Sequence, residues 1–242
     1  MGKLIEQAGI EFHDHGKGIP IVFVHGIQGT LQNWNAVTER LKPEYRVITL
    51  NLRGRGASPA PLEAAEYSLD AFSSDLKSVT DHVGDKFILV GYSMGVLVAL
   101  DYIKRHGCTD LRGLVLVSGS ACVGNEAVWF HQSDLASIAQ EAEQRAKALG
   151  LTETATSLAV AASWQQVKQA DYRDILPLIS VPTLVLHGAQ DDQCPLSHGR
   201  LLADQIPEAQ FSQWAGAGHN MMGHDPGRLA KMIAGFISKD RT

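Results

Sequence analysis

Short runs of aliphatic and β-branched residues alternate along the chain with longer segments of helical period. Ile21-Val22-Phe23-Val24 is apolar at every position and stops at His25-Gly26, as a strand covered on both faces would. A helix over 34–41 and a second strand over 46–50 come next. Over 68–83 the apolar Leu69, Phe72, Leu76, Val79 and Val83 recur three or four apart behind Ser68, which can cap the helix they predict. Further strands are predicted at 87–90, 114–117, 183–186 and 211–214, and helices at 94–105, 197–205 and 226–237. The last helix has Pro226 in its first turn, where a missing N–H would have no partner in any case. Strands alternating with helices predict an α/β fold, a mostly parallel sheet with helices on both faces. Residues 4–14 are expected to form an antiparallel hairpin arm with the next strand in the chain, with His13 and His15 flanking Asp14 in its turn.

The alternation breaks over 120–174. This stretch is rich in Ala, Gln and Glu from 134 to 149 and carries Trp129, Phe130 and Trp164. It is too short for a core of its own, so it is expected to be a helical lid inserted into a single domain spanning 1–242. No internal repeat or low-complexity tract is visible.

Composition narrows the class. Of 242 residues, 45% are hydrophobic and 19% charged, which a disordered chain would not show. The net charge is −5 and no basic block exists, which argues against a nucleic-acid partner. Cys108, Cys122 and Cys194 are odd in number, far apart and without metal-ligand spacing, pointing to a reducing compartment rather than a disulfide framework. The segment 1–16 has charges and two His where a signal peptide needs an apolar centre, and Glu6 stands where myristoylation needs Ser or Thr. No apolar stretch reaches the length of a membrane span. The expectation is a cytoplasmic monomer or homodimer that handles a small molecule, without membrane, metal or organic cofactor.

Gly91-Tyr92-Ser93-Met94-Gly95 is the strongest chemical signal, because it joins a predicted buried strand to a predicted helix. A turn that tight strains the backbone at Ser93, tolerates no side chain at Gly91 or Gly95, and lifts the hydroxyl clear of the sheet. It also brings the Met94 amide to a helix N-terminus, the positive end of the helix dipole. A neutral hydroxyl needs a base and an acid to orient that base. After the strand at 183–186, a turn carries Asp191 and Asp192; after the strand at 211–214, Gly216-Ala217-Gly218-His219 carries an imidazole. All these groups lie at carboxyl ends of strands, where open parallel sheets collect functional groups.

Taken with Val24-His25-Gly26-Ile27, the turn Leu52-Arg53-Gly54-Arg55-Gly56-Ala57-Ser58 and Pro182 to Asp191, these motifs make the chain resemble the α/β-hydrolase superfamily, in its serine esterase-like branch, over nearly its whole length. The resemblance implies Ser93 as nucleophile, His219 as base, Asp191 rather than Asp192 as the acid, and an oxyanion hole built from the Ile27 and Met94 amides. A Ser at the elbow separates the chain from branches that attack with a carboxylate. Asn51 stands where the pattern has Asp, Val96 where many relatives have Gly, and His224 where an acidic residue is common. His224 is a rival base; His25 is expected to be scaffold, Arg53 and Arg55 to brace their loop, and Cys194 to fill space. Trp129 and Trp164 are candidate substrate contacts. The implied reaction is hydrolysis of a small or medium, largely apolar carboxylic ester through an acyl-enzyme. Lactone or enol-lactone opening and carbon–carbon bond hydrolysis are alternatives on the same triad. A receptor-like member with residual activity is the alternative of another class.

Overall fold

The computed structural model describes residues 3–4, 9–124, 126–148, 151 and 153–239. In chain order its elements are β1 (Lys3–Leu4), β2 (Glu11–His15), β3 (Pro20–Val24), α1 (Asn35–Leu41), β4 (Arg46–Leu50), α2 (Leu69–Val83), β5 (Phe87–Tyr92) and α3 (Met94–His106). They continue with β6 (Leu111–Val117), α4 (Leu135–Ala148), α5 (Ser157–Val167), β7 (Thr183–Gly188), α6 (Leu196–Gln205), β8 (Gln210–Trp214), α7 (Met221–His224) and α8 (Pro226–Lys239). Eight strands form one sheet in the order β1-β2-β4-β3-β5-β6-β7-β8, parallel from β4 to β8.

Alternation along the central strands builds two cores. Ile21, Phe23, Ile88, Val90, Val115 and Val117 face one side, where α1 and α8 pack with Trp34, Trp214, Leu229 and Ile233. Val22, Val24, Leu89, Leu114 and Leu116 face the other, under α2 and α3. Ser68 caps α2 through the Ala71 N–H, and Gly84 ends the helix in a left-handed conformation at φ 75°. The helix expected from Trp34 is preceded by a 3-10 turn, Leu31–Trp34, in which Thr30 and Asn33 form a capping box.

The N-terminal arm departs from expectation. β2 is antiparallel, but its partner is β4 (Phe12 beside Leu50, His15 beside Val47), not the next strand in sequence, β3. The connection turns through Gly16 and Gly18 at φ 84° and 101°, against the backbone carbonyls of Tyr45 and Glu44, so β3 emerges beyond β4. His13, Asp14 and His15 therefore lie within a strand, and Asp14 receives a two-pronged hydrogen bond from Arg46 at 3.0 and 2.8 Å. Of the expected arm, residues 5–8 lie outside the described residues.

The segment between β6 and β7 leaves and re-enters the fold at one point. A bridge pairs Cys122 with Asp171, and the Tyr172 N–H reaches the Ala121 carbonyl at 2.8 Å. Its helices α4 and α5 bury Ile138, Ala142, Val160, Trp164 and Val167 in the same core as α2 and α3.

Candidate active site

Ser93 alone separates β5 from α3, at φ 54° and ψ −119°, a conformation L-residues avoid. Its N–H bonds the Val117 carbonyl at 3.0 Å and its carbonyl accepts from the Val96 N–H at 2.9 Å, so strand and helix together hold the strain. A Cβ at Gly91 would stand 2.5 Å from the Gly95 carbonyl oxygen, and one at Gly95 would stand 2.5 Å from that of Val24. Both glycines are required by contact.

Two further loops close on this turn. A Cβ at Gly188 would lie 2.4 Å from the Gly218 oxygen, so its absence lets the loop after β7 lie against the loop after β8. The Gln190 N–H, bonded to the Ala217 carbonyl at 2.9 Å, joins them. Asp191 is fixed by the N–H groups of Gln193 (3.0 Å) and Cys194 (2.8 Å), both on Oδ1. His219 Nδ1 lies 3.0 Å from each Asp191 oxygen, and its Nε2 lies 2.9 Å from Ser93 Oγ. All three residues are buried. Burial pushes the Asp191 carboxyl up, but the His219 bond and charge and the two backbone N–H groups outweigh it, holding the group below its ordinary value. An ionised Asp191 places the imidazole proton on Nδ1 and leaves the Nε2 lone pair facing the Ser93 hydroxyl. Asp192 and His224, the rival acid and base, are both exposed.

Behind the acid, His187 donates from Nε2 to the Cys194 carbonyl at 2.7 Å and lies 3.4 Å from Asp191 Oδ2. Burial lowers its pKa, and Cys194 beside it is buried with its thiol pushed up.

The loop after β3 passes against Ser93: a Cβ at Gly26 would stand 3.2 Å from that of Ser93. The Gly26 carbonyl accepts from His25 Nδ1 (2.8 Å) and the Gly29 N–H (3.0 Å), which fixes the peptide plane whose opposite edge is the Ile27 N–H. His25 Nε2 in turn accepts from the Leu52 N–H at 3.2 Å. Burial and the nearby Arg55 charge lower the His25 pKa to about 3, so the ring is neutral scaffold. Met94 opens α3, and its N–H has no carbonyl a turn earlier to meet. Asn51 joins the same framework, accepting from the Leu31 N–H and donating to Glu11. Arg53 pairs with Asp75, while the fully buried Arg55 donates to the carbonyls of Arg53 and Ile27 and to Ser163 Oγ. Burial pushes the Arg55 pKa down to about 10.

A cleft of about 170 Å³ opens over Ser93 and His219, walled by Ile27, Tyr92, Trp129 and Met222. Trp129 is therefore a wall, anchored by its indole N–H to the Gln193 carbonyl at 3.1 Å. Trp164 is not among the cleft's lining residues. It stacks behind Trp129, ring centroids 5.4 Å apart, and wedges against Phe130, so it docks the insertion and its assignment as a substrate contact is corrected. The cleft also contains Gln28, Asn33, Gln193 and Arg145, which no motif in the sequence marked. A larger cavity of about 560 Å³, lined by Cys122, Glu126 and His198 among others, shares no residue with it. Among the described residues, no cluster of three or more His, Cys, Asp and Glu could hold a metal, and no helix is long and apolar enough to cross a membrane.

A model of the alpha/beta hydrolase family matches residues 21–232, a range that includes Ser93, Asp191 and His219. The chain belongs to that family. This alpha/beta hydrolase is 28% identical to the AB hydrolase superfamily protein YisY of Bacillus subtilis (strain 168), with 97% of each chain covered. It is 29% identical to 2-hydroxymuconate semialdehyde hydrolase of Pseudomonas sp. (strain CF600), over 99% of this chain and 94% of that one. Among solved structures, an esterase from Rhodococcus sp. ECU1013 aligns with a TM-score of 0.79 at 27% identity, covering 98% of this chain and 97% of its own.

Proposed function

We propose that this hydrolase cleaves a small carboxylic ester through a covalent intermediate on Ser93. The observation that carries the proposal is the unbroken path from Ser93 Oγ to His219 Nε2 (2.9 Å) and from Nδ1 to Asp191 (3.0 Å). As Oγ attacks the carbonyl carbon, its proton passes to His219, and Asp191 holds the tautomer and balances the imidazolium. The oxyanion is received by the Ile27 and Met94 N–H groups, worth about 3 kcal/mol for each donor. His219 then protonates the departing alcohol, and water, giving its own proton to His219, releases the acid and regenerates Ser93. The insertion carrying α4 and α5 acts as the lid, with Trp129 against the bound acyl group. At about 170 Å³ the cleft falls below the ~300–1,000 Å³ common for ligand pockets, which favours a short substrate.

Carbon–carbon bond hydrolysis is the second reading, favoured by the near-full-length similarity to 2-hydroxymuconate semialdehyde hydrolase. A panel of short p-nitrophenyl esters, lactones and vinylogous diketones ranks the reactions. In each case a fluorophosphonate is expected to label the wild type and not Ser93→Ala, whose kcat falls by about 10⁶-fold. Full ester turnover by Ser93→Ala would overturn the proposal.

A further inference from the structure

The cleft holds one formal charge for which the ester chemistry has no use. Arg145, on α4, lines it together with Ser93 and His219. Elsewhere in the molecule Arg46, Arg53, Arg105 and Arg173 each face an aspartate. Arg145 does not. Its guanidinium donates to two neutral oxygens, the Trp129 carbonyl at 3.0 Å and the side-chain carbonyl of Gln193, and lies 5.4 Å from the centre of the Phe130 ring. The acid on its own helix, Glu141, accepts instead from the His131 and Gln132 N–H groups, and Asp192 is exposed.

Two partners use only part of the five N–H groups that a guanidinium carries. Arg55, the other arginine without a carboxylate, differs: it is fully buried, its acceptors lie inside the loop, and it does not line the cleft. Arg145 is partly withdrawn from water, enough for burial to lower its pKa, yet its fork borders the space the substrate enters. A desolvated cation without a counter-ion is unfavourable, and a planar fork suits a carboxylate in two-pronged geometry.

We propose that Arg145 anchors a free carboxylate of the substrate, so that this hydrolase acts on small esters bearing an acid group a few atoms from the scissile carbonyl. The half-ester of a short dicarboxylic acid is the simplest member of the class. The inference rests on the serine-hydrolase reading and gives it a substrate class. The cleft volume, about 170 Å³, is roughly six water molecules at about 30 Å³ each, which sets the short separation. A single fixed cation also selects a mono-acid over a polyanion.

The test compares kcat/KM for monomethyl glutarate and dimethyl glutarate, monitored by proton release. Wild type is expected to favour the half-ester by roughly 10- to 100-fold, the range of charged hydrogen bonds. In Arg145→Met that ratio collapses towards one, chiefly through a raised KM for the half-ester. Arg145→Lys, which keeps the charge without the fork, retains an intermediate ratio. An equal ratio in wild type and Arg145→Met, or a wild-type preference for the diester, would overturn the proposal. Turnover of neither ester together with no fluorophosphonate labelling would sink the serine-hydrolase reading instead. Titrating monomethyl glutarate into Ser93→Ala and Ser93→Ala/Arg145→Met then decides the anchor alone: loss of binding in the double variant supports it, and equal binding refutes it.

Discussion

His25 shows how one uncharged ring sets both the oxyanion loop and the pH range of the fold. It donates to the Gly26 carbonyl and accepts from the Leu52 N–H, a pairing only the neutral form can make. Unfolded, the same ring takes a proton below about pH 6.5, whereas in the fold it resists protonation until about pH 3. Between those values the unfolded state binds more protons, so stability is complete above pH 6.5 and declines as pH falls through the window. His187, also lowered by burial, acts in the same direction. Urea unfolding at pH 7, 6 and 5 should show wild type losing up to about 1.4 kcal/mol per pH unit from His25, with a flatter profile in His25→Asn. Equal slopes in the two proteins would mean that His25 is not the group responsible. At this scale the sequence was legible wherever chemistry and backbone shape are local: Ser93 in its turn, Asp191 and His219 at strand ends, His25 after an apolar strand. Arg145 was not, because its position depends on how α4 docks across the sheet, and helical period carries no record of that.

The nucleophile turn is an element built from mutual exclusions. Val96 replaces the small residue that relatives often carry, and the space it needs comes from across the sheet. A Cβ placed on Gly119 would lie 2.3 Å from Val96 Cγ2 and 2.5 Å from Val96 Cβ. The departure at 96 is thus matched by Gly119, in the loop after β6. Gly119→Ala should therefore overpack the turn and destabilise by about 1–3 kcal/mol. In Val96→Gly/Gly119→Ala the clash is gone, so the double variant should be more stable than the sum of the two single losses predicts. Denaturant midpoints for the four proteins measure that coupling, and strict additivity would rule out the contact. Strands were legible from apolar runs because β3, β5 and β6 are covered on both faces. The partner of β2 was not, since the same period suits either neighbour, and only the crowded Gly16 and Gly18 turn decides between them.

Across the whole molecule, the insertion and the sheet domain meet at the oxyanion loop. Gln28 donates from its side chain to the Ala142 carbonyl of α4 at 2.9 Å, and its own carbonyl accepts from the Ala155 N–H at 3.1 Å. Arg55 ties the Ile27 carbonyl at 2.7 Å to Ser163 of α5 at 3.1 Å. The loop that presents the Ile27 amide is therefore held from below by His25 and from above by both inserted helices. A helix resting only on apolar contacts could slide without consequence for Ile27; one bonded to the next residue along cannot. Gln28→Ala removes the α4 bond at a cost of about 1 kcal/mol, a fall of roughly 2–4 °C in Tm. Because Gln28 is a cleft residue, its loss should lower kcat as well as raise KM. Hydrogen exchange across 138–148 separates an anchoring role from simple loss of stability. Faster exchange confined to α4 is expected if the bond anchors the insertion, whereas uniform acceleration across α2, α3 and α4 would show that Gln28 serves only global stability.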